Sequence, residues 1–383
     1  RSGKTYPVVN PADGSLLARV AEGGADDIDD AVNAAIKASS GAWSKLHARE
    51  RGKILLKIAG LIRDHLDSLA LLECRTAGKP LGDAKDEMGL AADTFEYYGG
   101  AANKHFGETI PVAGAGLDYT LREPVGVCGL IVPWNFPLVI AAWKLGPALA
   151  CGNTVVLKPS PETPLTALAL AKLAAEAGLP DGVLNVVPGP GPGCGDALVA
   201  HPLVRKISFT GSTATGTGIM KAAADGIKRV SLELGGKSPN IVFDDADLEL
   251  CVEKSVWSVF YNAGQDCCAR SRILVHRKIH DKFVEQLVAR ARKFVVGHPE
   301  KKGTQIGPII SRRQYDKINQ YIASGKAEGA KLLCGGVRPK GVPLKGHYLT
   351  PAVFAGTDDN MKIVREEIFG PVLAVIPFKD EDE

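Results

Sequence analysis

Three features are absent from this sequence of 383 residues. No run approaches the roughly 20 consecutive apolar residues that a membrane helix needs, and the opening stretch RSGKTYPVVNPADG has no apolar signal core. Lysine and arginine form no dense basic tract, and the formal net charge is only +3. We therefore expect neither a membrane-spanning protein nor a nucleic-acid partner.

Cysteine is sparse, with eight residues spread along the chain. None of them pairs with further cysteine or histidine at the spacing of a metal site. The sequence therefore predicts no metal ion and favours a reduced, cytoplasmic compartment.

The residues that are present have the proportions of a globular protein, with 45% hydrophobic and 23% charged. Domains usually hold roughly 100 to 200 residues, so this length indicates two or three of them. The first hundred residues have mainly helical periodicity, as in residues 24–39 and 53–73. A glycine-rich, β-prone stretch at residues 110–134 predicts a hairpin and a strand.

From about Asn153 the pattern changes to alternating strands and helices. The successive stretches are NTVVLKP, TPLTALALAKLAAEAG, GVLNVVPG, CGDALVAH, RKISFTG, TATGTGIMKAAAD and KRVSLELGG. This alternation predicts an α/β protein with a doubly wound parallel sheet and crossover helices. After Gly236 helix and strand alternate again, which is typical of a second α/β domain.

One loop of the predicted sheet has the character of a phosphate site. Gly211 and Ser212 follow a strand and open a helix, whose free amides and positive dipole end favour a pyrophosphate. A plain glycine turn with an N-capping serine explains the same residues. The glycines of residues 189–195 are interleaved with prolines and out of register for GxGxxG, so they predict a turn.

Two neighbouring cysteines, Cys267 and Cys268, lie in the stretch FYNAGQDCCARSR. Small buried core residues are one interpretation, because free cysteine is usually buried and inert. The flanking Gly, Gln, Asp and Arg favour a lined cavity instead, and both interpretations stay open on the residues alone. Glu233, flanked by leucines, is expected to lie on a buried side, where apolar surroundings would raise the pKa of its carboxyl toward the working range of a general base.

Five motifs occur together in one order, and in this combination the chain resembles the aldehyde dehydrogenase superfamily. The motifs are PWNFP at 133–137, FTGS at 209–212, LELGGKSPNIVF at 232–243, GQDC at 264–267 and EEIFGP at 366–371. The resemblance implies an NAD- or NADP-dependent oxidation of an aldehyde to the acid through a cysteine thiohemiacetal and thioester.

The resemblance also assigns roles to residues. It implies that Cys267 is the nucleophile, that Asn135 is the oxyanion-hole amide, and that Glu233 is the general base. The residues that it places at the cofactor are Lys158, Gly211, Ser212, Trp134, Glu367 and Phe369. The residues expected to line the substrate tunnel are Phe136, Ile140, Trp143, Tyr261 and Asp266, although ordinary core packing explains some of the aromatic ones.

The domain organisation that the resemblance implies has three parts. A Rossmann-like NAD(P)-binding domain is expected at residues 1–103 and 123–235, an oligomerisation hairpin arm at 104–122, and a catalytic domain at 236–383, with the site in the cleft between the two domains. We expect a homodimer or homotetramer. Typical members continue with further strands beyond the position of the last residue, so the C-terminal part of the catalytic domain is expected to be missing here.

The sequence departs from the family at the adenosine ribose. Many NAD-using members have a glutamate three residues after the lysine, whereas this chain has Pro161 there and Glu162 one place on. This departure predicts weak discrimination against NADP. Asp266, beside the nucleophile, favours a cationic ω-aminoaldehyde or betaine-aldehyde-like substrate if it faces the tunnel; the alternative is that it binds backbone amides or Arg270.

Two other kinds of protein fit part of this pattern. A cysteine hydrolase would use Cys267 without a dinucleotide, but no histidine lies near any of the motifs. A catalytically inactive structural relative is the second alternative, although Cys267, Glu233, Asn135 and Glu367 are all present.

Overall fold

The computed structural model describes residues 2–383. The strands are β1 Thr5–Val9, β2 Leu16–Ala21, β3 Thr109–Ile110, β4 Asp118–Tyr119, β5 Val127–Ile131, β6 Thr154–Lys158, β7 Leu184–Val186, β8 Val204–Thr210, β9 Arg229–Glu233, β10 Pro239–Val242, β11 Arg272–His276, β12 Lys331–Cys334, β13 Ala352–Ala355 and β14 Val372–Phe378. The α-helices are α1 Ala25–Ser39, α2 Ala42–Lys45, α3 Ala48–Asp64, α4 Leu66–Ala77, α5 Leu81–Ala101, α6 Pro137–Ala150, α7 Leu165–Glu176, α8 Asp196–Ala200, α9 Thr213–Ala224, α10 Leu248–Phe260, α11 His280–Ala291, α12 Arg312–Ala327 and α13 Lys362–Arg365.

The chain forms two compact units. Unit 1 contains the residues up to Val8, Ala18–Glu73 and Lys85–Glu233, and unit 2 contains Val9–Leu17, Cys74–Ala84 and Leu234–Glu383. The boundary between the units after Glu233 lies two residues before the domain boundary expected after residue 235. The assignment of cofactor binding to one domain and catalysis to the other stays a prediction.

Unit 1 is built around a parallel sheet of five strands in the order β7-β6-β5-β8-β9. Every residue of β5 and β6 is buried, which is typical of central strands covered on both faces. The chain passes from β5 outward to β7 and then returns to β8, on the other side of β5. The switch point of this doubly wound sheet therefore lies between β5 and β8.

The amino-terminal part of unit 1 is mainly helical, as its periodicity predicts. In α1 the side chains of Ile28, Val32 and Ala35 are completely buried, and the Asp27 carboxylate accepts the Gly24 N–H at the start of the helix. The two-stranded sheet β1-β2 was not expected from the helical pattern. Residues 191–195 form a kinked turn, with Pro192 and Gly193 outside helical dihedral angles, in agreement with the interpretation of this stretch as a turn.

Unit 2 has its own five-stranded sheet, in the order β10-β11-β14-β13-β12. The strands β10, β11, β14 and β13 are parallel to one another, and β12 pairs antiparallel with β13 at the edge of the sheet. Its core packs buried side chains from α10, α11 and α12 against the sheet, including Phe260, Phe283 and Ile318. Both sheets confirm the predicted α/β class.

A small hairpin, β3-β4, occupies the middle of the stretch predicted to form an arm. Thr109 pairs with Tyr119, and Ile110 with Asp118. The large apolar side chains exposed along this segment are Phe106, Ile110, Val112, Leu117, Tyr119 and Leu121. In residues 2–383 no helix combines the length and the hydropathy that crossing a bilayer requires.

Candidate functional site

Four candidate residues of unit 1 lie at the carboxyl ends of its strands. Lys158 is the last residue of β6 and Glu233 the last of β9, while Asn135 and Ser212 lie in the loops that follow β5 and β8. Because these strands are parallel, their carboxyl ends all meet at the same edge. The loops of Asn135 and Ser212 follow the two strands that flank the switch point, where such sheets bind ligands.

The loop from β8 into α9 is shaped by Gly211 and Ser212. A Cβ on Gly211 would lie 2.5 Å from the Phe209 ring, so the loop accepts no larger residue without a shift. The Ser212 hydroxyl accepts the Thr215 N–H at 3.3 Å and caps the helix. Other amides of the first turn have no acceptor within the helix, so the turn is suited to binding an anion.

Lys158 and Glu162 lie close together at the end of β6. Lys158 is 3% exposed, its ammonium donates to the Pro159 carbonyl at 2.9 Å, and burial lowers its pKa. The hydroxyl of Ser160 donates to the carboxylate of Glu162, which is itself exposed. The carboxylate that is absent at residue 161 is therefore present one residue later and held by a neighbouring side chain.

Asn135 lies just before α6 with its side chain 3% exposed. The helix begins with Pro137, whose fixed φ suits a first helical position. The Leu138 N–H of the first turn donates at 3.3 Å to the carboxylate of Glu73, a residue with no exposed surface. This buried acid, which no sequence motif marks, binds the first turn of α6, next to the loop that carries Asn135.

Glu233 differs from the expectation based on its leucine neighbours. The residue is exposed, because β9 is an edge strand whose alternate side chains, including Glu233, face outward. The prediction that it lies on a buried side is wrong. Its backbone carbonyl accepts the Gly211 N–H at 3.0 Å, which joins the FTGS and ELGG motifs.

A buried lysine, Lys144, interacts electrostatically with the Glu233 carboxylate. The Lys144 ammonium donates to the Ser208 hydroxyl at 2.9 Å. Burial lowers the pKa of Lys144 to about 8, and the negative charge of Glu233 offsets part of this effect. The charge of Lys144 is therefore easier to lose than that of an exposed lysine, within electrostatic reach of the expected base.

The expected tunnel residues are divided between the two units. Phe136 precedes α6, and Ile140 and Trp143 lie one turn apart on it, at 3% and 56% exposure. Tyr261 and Asp266 belong to unit 2, after the end of α10. Trp134 lies in the PWNFP loop beside Asn135.

In unit 2 the loop before Cys267 has an unusual backbone. Asn262 and Ala263 have φ values of 50° and 56°, and Gly264 follows at 70°, so three consecutive residues are left-handed. Such conformations are costly for residues with a Cβ and persist only where the surroundings impose them. The nucleophile candidate thus follows a strained and closely held turn.

Gln265 supplies much of that restraint. Its side-chain amide donates to the Asn262 carbonyl at 3.2 Å, and the Asn262 amide donates back to the Gln265 carbonyl at 3.2 Å. The Gln265 side-chain oxygen also accepts the Ile310 N–H at 2.9 Å. The glutamine of the GQDC motif is a positioning residue that ties the loop to a distant segment.

The EEIFGP turn meets the same loop. GQDC precedes β11 and EEIFGP precedes β14, and these strands are parallel neighbours. Gly264 lies against the carbonyl of Gly370, and Phe369 is left-handed with φ 58°. Gln314 on α12 donates to the Phe369 carbonyl at 2.8 Å, a contact for which the sequence gives no motif.

Glu367 lies close to the glycines of the ELGG motif. A Cβ on Gly235 would be 1.9 Å from a Glu367 carboxylate oxygen, and the Gly236 N–H donates to this carboxylate at 3.3 Å. Burial raises the pKa of Glu367. The Lys237 amine nearby is buried without a hydrogen-bond partner, and burial lowers its pKa to about 8.

The Cys267 thiol is half-buried, and its neighbour Cys268 is exposed. Burial raises the pKa of Cys267 to about 12, and Cys268 and Asp266 add to the shift. The Asp266 carboxylate accepts the Cys268 N–H at 3.0 Å. This contact agrees with the alternative in which Asp266 binds backbone amides and does not face the tunnel. Attack on an electrophile therefore requires removal of the Cys267 proton.

Known proteins match this chain throughout. The model of the aldehyde dehydrogenase family matches residues 1–383. Aldehyde dehydrogenase family 2 member B4, mitochondrial, from Arabidopsis thaliana is 50% identical over all of this chain and 71% of its own length. Human retinal dehydrogenase 2 is 49% identical over all of this chain and 74% of its own length.

Solved structures have the same fold. An NAD+ complex of aldehyde dehydrogenase from Bacillus cereus has a TM-score of 0.97 and 46% identity, covering 99% of this chain and 77% of its own. Betaine aldehyde dehydrogenase from Staphylococcus aureus with NAD+ has a TM-score of 0.97 and 42% identity, covering 99% of this chain and 76% of its own. The chain therefore belongs to the aldehyde dehydrogenase family, as an NAD(P)-dependent enzyme that oxidises an aldehyde to the carboxylic acid.

Proposed function

We propose that Cys267 is the nucleophile of this reaction. The observation that carries the proposal is the restrained loop before it, in which three left-handed residues and the contacts of Gln265 hold the backbone that leads to Cys267. After losing its proton, the sulfur bonds to the aldehyde carbon, and the carbonyl electron pair moves to oxygen. The Asn135 amide and the Cys267 N–H donate to that oxygen, at about 3 to 4 kcal/mol per good donor.

Glu233 is the general base of the second half of the reaction. A thioester on Cys267 is hydrolysed by water, and Glu233 takes the proton of that water as the carbon–sulfur bond breaks. The exposure of its carboxylate supports this role, because a base that activates water must be reached by water.

The residues of unit 1 fit a dinucleotide. The first turn of α9 offers amides to the pyrophosphate, and Gly211 allows close approach. Lys158 offers a donor for the ribose hydroxyls, and we assign Glu367 and Phe369 of unit 2 to the nicotinamide end. When bound, NAD+ or NADP+ supplies the two-electron acceptor.

Trapping the acyl-enzyme tests the assignment of the nucleophile. Rapid acid quenching of enzyme with an aldehyde and NAD+ is expected to leave one acyl group, and peptide mass spectrometry is expected to find it on Cys267. An acyl group on Cys268 would contradict the assignment. If this chain reduced no cofactor with any aldehyde, that result would contradict its activity as a dehydrogenase.

For the substrate we propose an ω-aminoaldehyde or a betaine-like aldehyde. The charge of Asp266 beside the nucleophile supports a distal cation, and a betaine aldehyde dehydrogenase is among the similar structures. Asp266→Asn is expected to lower kcat/KM for aminoaldehydes while sparing hexanal. Equal loss on both substrates would make Asp266 a structural residue, as its bond to the Cys268 amide also suggests.

We further propose that the enzyme is a cytoplasmic homodimer or homotetramer. The exposed apolar side chains of the β3-β4 hairpin support a partner surface, because large exposed apolar patches usually mark interfaces. Light scattering of the enzyme and of a Leu117→Ser variant tests this role of the hairpin. The eight free cysteines agree with a reducing compartment. Cell fractionation distinguishes the cytoplasm from the mitochondria, which the name of the Arabidopsis relative includes.

A further inference from the structure

We propose that Asp266, Cys267 and Cys268 form an inhibitory binding site for a thiophilic divalent cation such as Zn²⁺. Within residues 2–383, this is the one group of three His, Cys, Asp or Glu residues whose ligand atoms all lie within 4.8 Å of one another. The binding site itself is independent of the proposed catalytic roles. Only the inhibition rests on Cys267 being the nucleophile.

The distance between the two sulfurs matches the distance between two sulfur ligands of one zinc ion. The Sγ atoms of Cys267 and Cys268 are 3.8 Å apart. In tetrahedral zinc coordination with Zn–S bonds of about 2.3 Å, two sulfur ligands are about 3.8 Å apart. The thiols are therefore already separated by one edge of the coordination tetrahedron.

Asp266 provides the third ligand. One carboxylate oxygen accepts the Cys268 N–H at 3.0 Å, which holds the carboxylate beside the two sulfurs. Cysteine sulfur and aspartate oxygen are both zinc ligands, and three protein ligands leave the fourth position for water. Because Cys268 is exposed, an ion from solution reaches the group directly.

Binding involves no oxidation or reduction. Each S–H bond loses its proton to the buffer as a Zn–S bond forms, so one ion releases two protons. The sulfur electron pair of Cys267 that would attack an aldehyde is then shared with the metal. A cation that prefers oxygen ligands, such as Mg²⁺, is not expected to compete for the thiolates.

The test uses the full chain, reduced and freed of metal, with Zn²⁺ as the probe. We expect one ion per chain, loss of more than nine-tenths of the turnover, and recovery on adding EDTA. Zinc is also expected to protect Cys267 and Cys268 from alkylation. Cys268→Ser should weaken zinc affinity at least about tenfold, whereas Cys251→Ser, which alters a partly exposed thiol on α10, should not change it.

Two results would overturn the proposal. Zinc affinity that is the same in Cys268→Ser and in the unaltered chain would place the ion elsewhere, as would unchanged alkylation of Cys267 in the presence of zinc. Asp266→Asn provides a second variant if Cys268→Ser folds poorly. Metal counting and alkylation need no turnover, so a chain that binds zinc without any dehydrogenase activity would contradict the catalytic proposal alone.

Discussion

The α-carbon of Gly264 lies so close to Gly370 that a Cβ atom would be 2.2 Å from the Gly370 carbonyl oxygen. Gly264 also has φ +70°, whereas Gly303 has φ +88° with open space around the Cβ position. Gly303→Ala is expected to lower the free energy of unfolding by about 1 to 2 kcal/mol. Gly264→Ala should cost more than about 3 kcal/mol, since backbone must also move. Denaturant melts compare the variants, and equal losses would contradict the close packing of the two loops.

Cys267→Ala is expected to reduce turnover by at least about a thousandfold, because it removes the nucleophile. Cys268→Ala should retain most of the turnover, since its thiol lies outside the proposed bond-forming step. Initial rates of cofactor reduction at saturating aldehyde measure both. If Cys268→Ala were the inactive variant, the assignment of the nucleophile would be reversed.

Glu233→Gln is expected to retain the burst of reduced cofactor and to slow steady turnover by about 10²- to 10⁴-fold. The reason is that only hydrolysis of the thioester needs the base. Rapid-mixing kinetics separate the two phases. Loss of the burst itself would assign Glu233 to deprotonation of Cys267 instead.

The cofactor preference depends on Pro161 and Glu162. Without a carboxylate at residue 161, preference for NAD is expected to stay below about a hundredfold, or roughly 2.7 kcal/mol. Ratios of kcat/KM for NAD and NADP measure it. A larger preference that disappears in Glu162→Gln would show that the carboxylate held by Ser160 excludes the 2′-phosphate.

Alkylation of Cys267 should depend steeply on pH. Because its pKa is raised to about 12, the thiolate fraction below that pH grows about tenfold per pH unit. The rate with iodoacetamide, followed by peptide mass spectrometry, should therefore rise from pH 7 to pH 10 without a plateau. Asp266→Asn removes one charge that raises this pKa, so it should react faster at each pH. A plateau near pH 8 would contradict the raised pKa.

The sequence predicts much of this fold because its main signals are local. The strands β5 to β9 and their crossover helices follow from alternating apolar runs and glycine turns, and the structure confirms the parallel sheet. Parallel strands align their ends, so the convergence of Lys158, Ser212 and Glu233 on one edge is also predictable.

Other features depend on contacts between distant residues. Nothing near Gln314 or Glu73 indicates that they hold the Phe369 and Leu138 backbones. The exposure of Glu233 depends on its strand being at the sheet edge, which leucine neighbours do not reveal. Residues 9–17 and 74–84 join unit 2 through tertiary packing, which periodicity does not encode.

The exposed apolar hairpin has a consequence for colloidal behaviour. The chain carries a net charge of only +3 and has an isoelectric point near 8.3, and weakly charged proteins with apolar patches associate readily. Raising the pH toward 8.3 removes the remaining repulsion between copies while it increases the thiolate fraction of Cys267. Buffers near pH 8.3 therefore leave the exposed apolar side chains of residues 106–121 least protected by charge repulsion between copies.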